Sequence, residues 1–392
     1  MKRCFLLFTA LFITGIVTSQ EKNITVILKN AITKDVIPGA SISVKDKGIG
    51  AVSNDDGVFK LSAPVSSEIQ ISHLTFKPLV IAVKDLKEGD NTVFMEVNDF
   101  TMEEVIVSKT PIYEVLAALI DNSRQQLSNP IHLNTYCREF IKNHGKYTRF
   151  TDGLVDLHIK GKPKNIDVDA VAIQNRSYGL NEEEEASKML VGFSLEDIIE
   201  KTYEFGVLKK FTKKSSLENY DFEIKSNPAN ENMYIIHITP KKEVQELLFN
   251  VKVAYDITKK VILSVELKTA DSHLQYAKEI NILIARALIK KSHFRAEFKF
   301  ENNKYVLAST LADLHFKLWN KRKINYDMEA KNALIVTKFQ NETFAYNKKD
   351  VIKKGRLFKQ TNNIKTNYWE FDSGLTPTHE EQAVIDNLKT KL

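Results

Sequence analysis

Between Ile24 and Val107 apolar residues recur at every second position in short runs separated by turn signals. Ile24, Val26 and Leu28 alternate with polar neighbours, the stretch Asp35 to Gly39 with Pro38 breaks the run, and Ile42 and Val44 resume the alternation. Such runs predict short strands with one buried face, and their close spacing predicts a β-sandwich. Ile49 to Ser53 leads into Asn54-Asp55-Asp56-Gly57, after which Val58, Phe59 and Leu61 continue. Asp-Gly between two such runs is a hairpin signal, because Gly accepts the positive φ of the favoured tight turns. Asp55 and Asp56 therefore read as turn residues, not as calcium ligands, which an EF-hand loop spreads over about twelve residues.

The pattern changes after Lys109. Thr110-Pro111 predicts a helix start, with Thr as cap and Pro at the first helical position. Ile112, Val115, Leu116, Leu119, Ile120 and Leu127 then share one face, and Asn129-Pro130 ends the helix. This helix, within residues 109–130, opens a second domain expected to fill 131–392. From Asn134 strands return, with Tyr136, Arg138 and Phe140 alternating. A second helix is predicted at 195–209, capped by Ser194, with Ile198, Ile199, Tyr203 and Val207 inward; the acidic run Glu182 to Glu185 before it reads as a solvated loop. Tyr220 to Phe344 reads as a meander of longer strands with turns at Thr258-Lys259-Lys260 and Asn302-Asn303. A third helix spans 379–391, with Thr378 and Glu381 as a capping box and Ala383, Val384, Ile385 and Leu388 as its buried stripe. Strict alternation predicts one apolar and one polar sheet face, the apolar one covered by helices. The expected fold class is thus mainly β: a sandwich over 20–108, then an α+β domain in which about three helices pack an antiparallel meander, flat or curved into a half-barrel.

The first nineteen residues stand apart. Lys2 and Arg3 precede an apolar run from Cys4 to Val17 and the small residues Thr18 and Ser19, the order of a secretory signal. The run is shorter than the roughly 20 residues a spanning helix needs, and no Cys lies in the cleavage region to carry a lipid. Residues 1–19 are expected to be removed, leaving no transmembrane segment and placing the protein in the periplasm or on the periplasmic face of an outer membrane. Only Cys137 then remains, so no intramolecular disulfide can form, and it reads as a small buried hydrophobe. Hydrophobic residues at 43% and charged residues at 27% are those of a folded chain. Its net charge of +6 is unevenly spread: Arg286 to Lys365 holds 19 Lys plus Arg against 7 acids.

The string PGASISVKDKGIGAVSNDDGVFKLSAP, Pro38 to Pro64, resembles the carboxypeptidase-regulatory-like (transthyretin-like) domain of Bacteroidetes envelope proteins. Ile69 to Lys77 resembles that family's following strand, with Thr75 where Gly is usual, and Glu103 to Val107 resembles its closing strand. Asn129-Pro130 through Phe140 and Trp369 through Glu381 resemble segments that accompany this domain in such proteins. The resemblance implies a sandwich acting as an interaction module and implies no peptidase, because the catalytic domain that gives the family its name is missing.

The sequence presents no catalytic, cofactor or metal site. No His has a Glu three residues later and no His-Glu-x-x-His exists, so zinc peptidase ligands are lacking. Gly-x-Ser-x-Gly is also absent, and Gly48-Ile49-Gly50 lacks the third glycine of a dinucleotide loop. The histidines are scattered, and only His144 with Arg138 and Glu139 suggests a polar grouping. Two readings stand for the basic residues Lys321, Arg322, Lys323, Lys348, Lys349, Lys353, Lys354 and Arg356: an anion-binding surface for lipid head groups or an acidic partner, or lysines solvating a sheet face. Nucleic acid is not expected as a partner of an exported chain. The leading expectation is a non-catalytic envelope protein contacting an envelope partner or, peripherally, a membrane. The alternatives are an enzyme with an unrecognised site and a periplasmic carrier of lipid or lipoprotein, since a helix followed by a long meander resembles the half-barrel of periplasmic lipoprotein carriers.

Overall fold

The computed structural model describes residues 20–45, 47, 49–73, 76–97, 104–179, 194–226, 230–282, 285–301, 303–321, 324–343, 345–352 and 357–390. The signal-like segment, the acidic run Glu182 to Glu185, and Arg322, Lys323, Lys353, Lys354 and Arg356 lie outside these residues. The chain is mostly β, an N-terminal β domain followed by a second one.

Seven strands make the first unit: β1 (Glu21–Asn30), β2 (Ser41–Val44), β3 (Ile49–Val52), β4 (Val58–Pro64), β5 (Glu68–His73), β6 (Phe76–Ala82) and β7 (Gly89–Met95). They form a three-stranded sheet, β4-β1-β7, facing a four-stranded one, β3-β2-β5-β6. Ile24, Val26 and Leu28 of β1 are fully buried against Phe59, Leu61, Ile42 and Ile69. Alternation thus becomes a core between two sheets, as expected of a sandwich. The turn between β3 and β4 falls at Gly57, whose φ is +73°, and Asn54 Oδ1 accepts from the backbone N–H of Asp56 and Val58 (3.0 and 2.8 Å). It is not the expected hairpin, because β3 and β4 lie in opposite sheets and the chain crosses there from one to the other.

The second unit is built on one open antiparallel sheet of eleven strands. In chain order they are β8 (Ile131–Asn143), β9 (Lys146–Lys162), β10 (Asn165–Gly179), β11 (Tyr220–Ser226), β12 (Met233–Pro240), β13 (Phe249–Asp256), β14 (Val261–Thr269), β15 (Ile280–Ile282), β16 (Ala285–Glu301), β17 (Lys304–Trp319) and β18 (Asn325–Gln340). Their spatial order is β10-β9-β8-β18-β17-β16-β14-β13-β12-β11, with β15 on β16. The last long strand therefore returns to pair with the first, and the sheet is not closed into a barrel.

Helices α1 (Ile112–Gln126) and α2 (Leu195–Tyr203) cover one face. Leu116, Leu119 and Ile120 of α1, Ile199 and Tyr203 of α2, and Leu208 and Phe211 of the 3-10 turn Gly206–Thr212 pack on Leu133, Val155, Val253 and Val265 of the sheet. Two predicted boundaries shift. Pro111 itself occupies the N-cap position of α1 and Thr110 does not cap it, since Pro lacks the N–H and fits a chain still extended there. The expected helix 195–209 ends at Tyr203, where Phe205 enters a left-handed conformation, φ 50°, and a 3-10 turn follows.

The opposite face is not the solvated polar face that alternation suggests. Over β8, β9 and β18 it is covered by α3 (Tyr368–Phe371), α4 (His379–Lys389) and the sandwich. The capping box of Thr378 and Glu381 forms, but Ala383 is exposed and Glu381 takes the buried stripe with Ile385 and Leu388. β3 meets this cover directly: Val52 N–H donates to Gly374 O (2.8 Å). Gly374 has φ +66°, and a Cβ there would stand 2.8 Å from Gly50 O, so only Gly allows this approach. After the sandwich, Val105 pairs with Lys225 of β11, so the segment read as its closing strand edges the large sheet instead.

Candidate binding cleft between the sandwich and the sheet

Register sets the site. Arg295, Leu311, Ala333, Arg138, Asp152 and Arg176 lie on successive neighbouring strands from β16 to β10 in one cross-strand row. Directly opposed residues share a face, so this row projects charged groups under the sandwich and the C-terminal segment.

At one end Asp152, fully buried, receives both Nε and Nη2 of Arg176 (2.8 and 2.9 Å) and the hydroxyls of Tyr136 (2.9 Å) and Tyr368 (2.8 Å). Burial holds both phenols well above their ordinary pKa, with the Asp152 charge adding to it; they stay protonated and donate. Trp369 lies over the Arg176 guanidinium, 4.1 Å from Cζ to the ring centroid. This centre pins α3 to the sheet.

Next along the row, Arg138 is 4% exposed and pairs with Glu381 of α4 (3.1 Å). Lys331 of β18 bridges Glu381 (3.4 Å) and Asp55 of the sandwich (3.3 Å). Burial works against the Lys331 charge, but the two carboxylates prevail and lift its pKa above the ordinary value. The Asp55 turn makes further ties: Asn54 Nδ2 donates to Thr376 O and Pro377 O (3.2 and 3.0 Å), and Asp56 Oδ2 accepts from His379 N–H (2.8 Å). Asn54 and Asp56 thus tie the sandwich directly to the start of α4, and Asp55 does so through Lys331.

At the far end Arg295 forms an ion pair with Glu297 and donates to Gly39 O (3.4 Å). A Cβ on Gly39, whose φ is +70°, would lie 2.8 Å from Arg295 Nη1. The pair divides two cavities between sandwich and sheet. One, of about 330 Å³, is lined by Asn54, Asp55, Arg138, Ser309, Lys331 and Glu381 among others. The second, of about 240 Å³, is lined by His73, Phe76, Met233, Phe298 and Lys299 among others. Burial, then the Arg295 charge, depress His73 to a pKa of about 4, against a backbone hydrogen bond at Pro38 that works the other way. The cleft therefore presents a neutral imidazole, aromatic edges and mutually paired charges.

The residues singled out in the sequence fall elsewhere or apart. His144 sits in the β8–β9 turn with φ 48°, exposed and 3.0 Å from Asn325 O. Arg138 is buried six residues away and neighbouring Glu139 points to the other face, so no joint site forms from the three. Cys137 is buried on the helix side, its thiol pushed up to about 12 by burial. Among the described basic residues, exposed Lys321 lies beyond the Asn325 end of β18, while exposed Lys348 and Lys349 follow its Gln340 end. A strand of 16 residues puts roughly 50 Å between those ends, so these lysines do not make one patch. Arg295, Glu297, Lys331 and His73 were not legible as a group, because nothing local brings β5, β16 and β18 together.

Residues 24–107 match the CarboxypepD_reg-like domain. No curated protein sequence matches the chain. Among solved structures it is similar to a DUF1329 family protein from Desulfovibrio piger, at 12% identity over 58% of this chain and 90% of that one, with a TM-score of 0.23. A LolA superfamily protein from Nitrosomonas europaea is 6% identical over 58% of this chain and 94% of that one, with a TM-score of 0.18. Lipovitellin is 11% identical over 56% of this chain and 26% of its own, with a TM-score of 0.23. Similarities at this level assign no function. No helix among the described residues is long and apolar enough to cross a membrane.

Proposed function

We propose that this is an exported, non-catalytic protein of the cell envelope that binds a segment of an envelope partner in the cleft between its regulatory-like sandwich and its sheet. The observation that carries the reading is the cavity of about 330 Å³ walled by the sandwich turn at Asp55, by Arg138 and Lys331 of the sheet, and by Glu381 of α4. Its charges already satisfy one another, which suits a ligand offering backbone amides and small side chains better than a single strong ion. Export rests on the leader-like order of Lys2, Arg3 and the apolar run to Val17.

Carriage of an acyl chain is the competing reading, favoured by a broad apolar sheet face. That face is occupied by α1, α2 and the turn carrying Leu208 and Phe211, so a lipid would have to displace them. The carrier reading expects lipid to co-purify in native mass spectrometry; the cleft reading expects none.

Ser309 lines the cleft, and Ser309→Trp would fill it. Tagged wild type and the variant, each expressed with its leader in the source cells, are fractionated and purified. The expected result is recovery in the envelope fraction, a partner retained by wild type and lost with Ser309→Trp, and no turnover of peptide or ester substrates. Robust turnover, or equal partner recovery with both proteins, overturns the reading.

A further inference from the structure

His132 of β8 stands directly opposite His158 of β9. Asp156, two residues before His158, shares its face. One donor atom of each of the three lies within 4.8 Å of the others. The imidazoles stack with centroids 4.7 Å apart and 8° between planes, and His132 Nε2 is 3.2 Å from Asp156 Oδ2. Asn134 Nδ2 donates to the other carboxylate oxygen, Asp156 Oδ1 (2.8 Å), which fixes the carboxylate with Oδ2 toward the histidines. His132 and His158 are 5% and 3% exposed, and His158 Nδ1 has no hydrogen-bond partner. A buried imidazole nitrogen without a partner is costly, and a cation would supply what the protein does not.

We propose that His132, Asp156 and His158 form a binding site for a divalent transition-metal cation of the zinc type. Two imidazoles and one carboxylate are the donor set such ions take when they keep an open coordination position. Bonds of about 2.0 to 2.1 Å require tetrahedral donors roughly 3.4 Å apart, so no separation has to close by more than about 1.4 Å, within reach of ring rotation. Access runs past Asp156, whose side chain is 22% exposed. The surroundings brace the donors: Tyr346 stacks on His158 with centroids 3.9 Å apart, and its hydroxyl contacts Asp169 and accepts from Lys160 Nζ (2.7 Å). Supporting groups of this kind orient metal ligands in built sites. The site lies six residues along β8 from Arg138 and is independent of the cleft.

The test is calorimetric titration of untagged, chelator-treated protein with Zn²⁺, and with Co²⁺ for its visible absorption bands. One Zn²⁺ per chain is expected, with histidine-type Co²⁺ bands. Removing a group that merely orients a ligand costs about 10- to 100-fold in affinity, so His158→Ala and Asp156→Asn should each cost more than about 100-fold, while His144→Ala leaves binding unchanged. Asp156→Asn is nearly isosteric at a partly exposed position and retains the fold, checked by circular dichroism, if His158→Ala does not. Absence of saturable binding to the wild type, or unchanged affinity in folded Asp156→Asn, overturns the proposal.

Discussion

Arg138 of β8 and Glu381 of α4 meet 3.1 Å apart as an ion pair that is almost wholly buried, their side chains 4% and 7% exposed. Two hundred and forty-three positions separate them in sequence, and the contact closes the C-terminal helix over the sheet. Removing one partner of such a pair leaves a desolvated charge and costs about 3 to 5 kcal/mol, whereas replacing both by apolar groups is often neutral. Lys331 remains beside Glu381, so Arg138→Met should destabilise by about 3 kcal/mol, at the low end. Arg138→Met combined with Glu381→Leu should recover part of that loss. Urea unfolding of the two variants checks the order; a double variant less stable than the single one contradicts it.

The Asp152 centre should respond more steeply. Asp152→Asn preserves shape but leaves Arg176, 6% exposed, without its counter-charge, an expected loss of about 3 to 5 kcal/mol. Tyr368→Phe removes one neutral donor and should cost about 1 kcal/mol. Because Trp369 rests on Arg176, its fluorescence should change in Asp152→Asn before global unfolding begins. Equal effects of the two substitutions would mean that the carboxylate does not organise the centre.

What could be read from the chain was local. Ile24, Val26 and Leu28 declared a strand by period two, Ser194 declared a helix start, and Asp56-Gly57 declared a turn, because each signal lies within a few residues of its effect. That the turn crosses between sheets instead of closing a hairpin is not a local property. Glu381 shows where local reading stops: it was legible as the partner of Thr378 in a capping box, yet it also meets Arg138. That second role depends on β18 returning to pair with β8, which no short-range pattern specifies. The same return hides the Arg295 to Arg176 row. Burial of both sheet faces misled the alternation argument, since polar positions such as Tyr136 and Asp152 were filled by a private network rather than by solvent. The His132 and His158 pair was closer to view: a hairpin centred on His144-Gly145, φ 48° and 74°, places them opposite one another.

Cys137 offers a probe of the sheet interior. Its thiol is buried and raised to about 12, so almost no thiolate, the reactive form, exists at neutral pH. Native protein should therefore resist thiol-specific reagents and label at the rate of unfolding, with full labelling in denaturant. Rapid labelling of the folded chain would show that β8 and the helices over it open readily.

His73 should make stability pH-dependent in a defined window. Its folded pKa is about 4, lowered first by burial and then by Arg295, against about 6.5 in an unfolded chain. Between those values the unfolded state binds the extra proton, so stability rises with pH there. As pH falls from about 6.5 to about 4, the folded state loses stability; below 4 both states are protonated and the loss is complete. The side chain is only part-buried, so solvent screening reduces the effect to the order of 2 kcal/mol. Glu297, paired with Arg295, and Lys299 line the same cavity, and their opposed charges leave Arg295 as the dominant repulsive neighbour. His73→Gln should flatten the profile between pH 4 and 6.5 relative to wild type, and Arg295→Gln should narrow the window from its acidic side. Chemical unfolding at half-unit pH steps measures both, and parallel wild-type and His73→Gln curves would exclude His73 as the source.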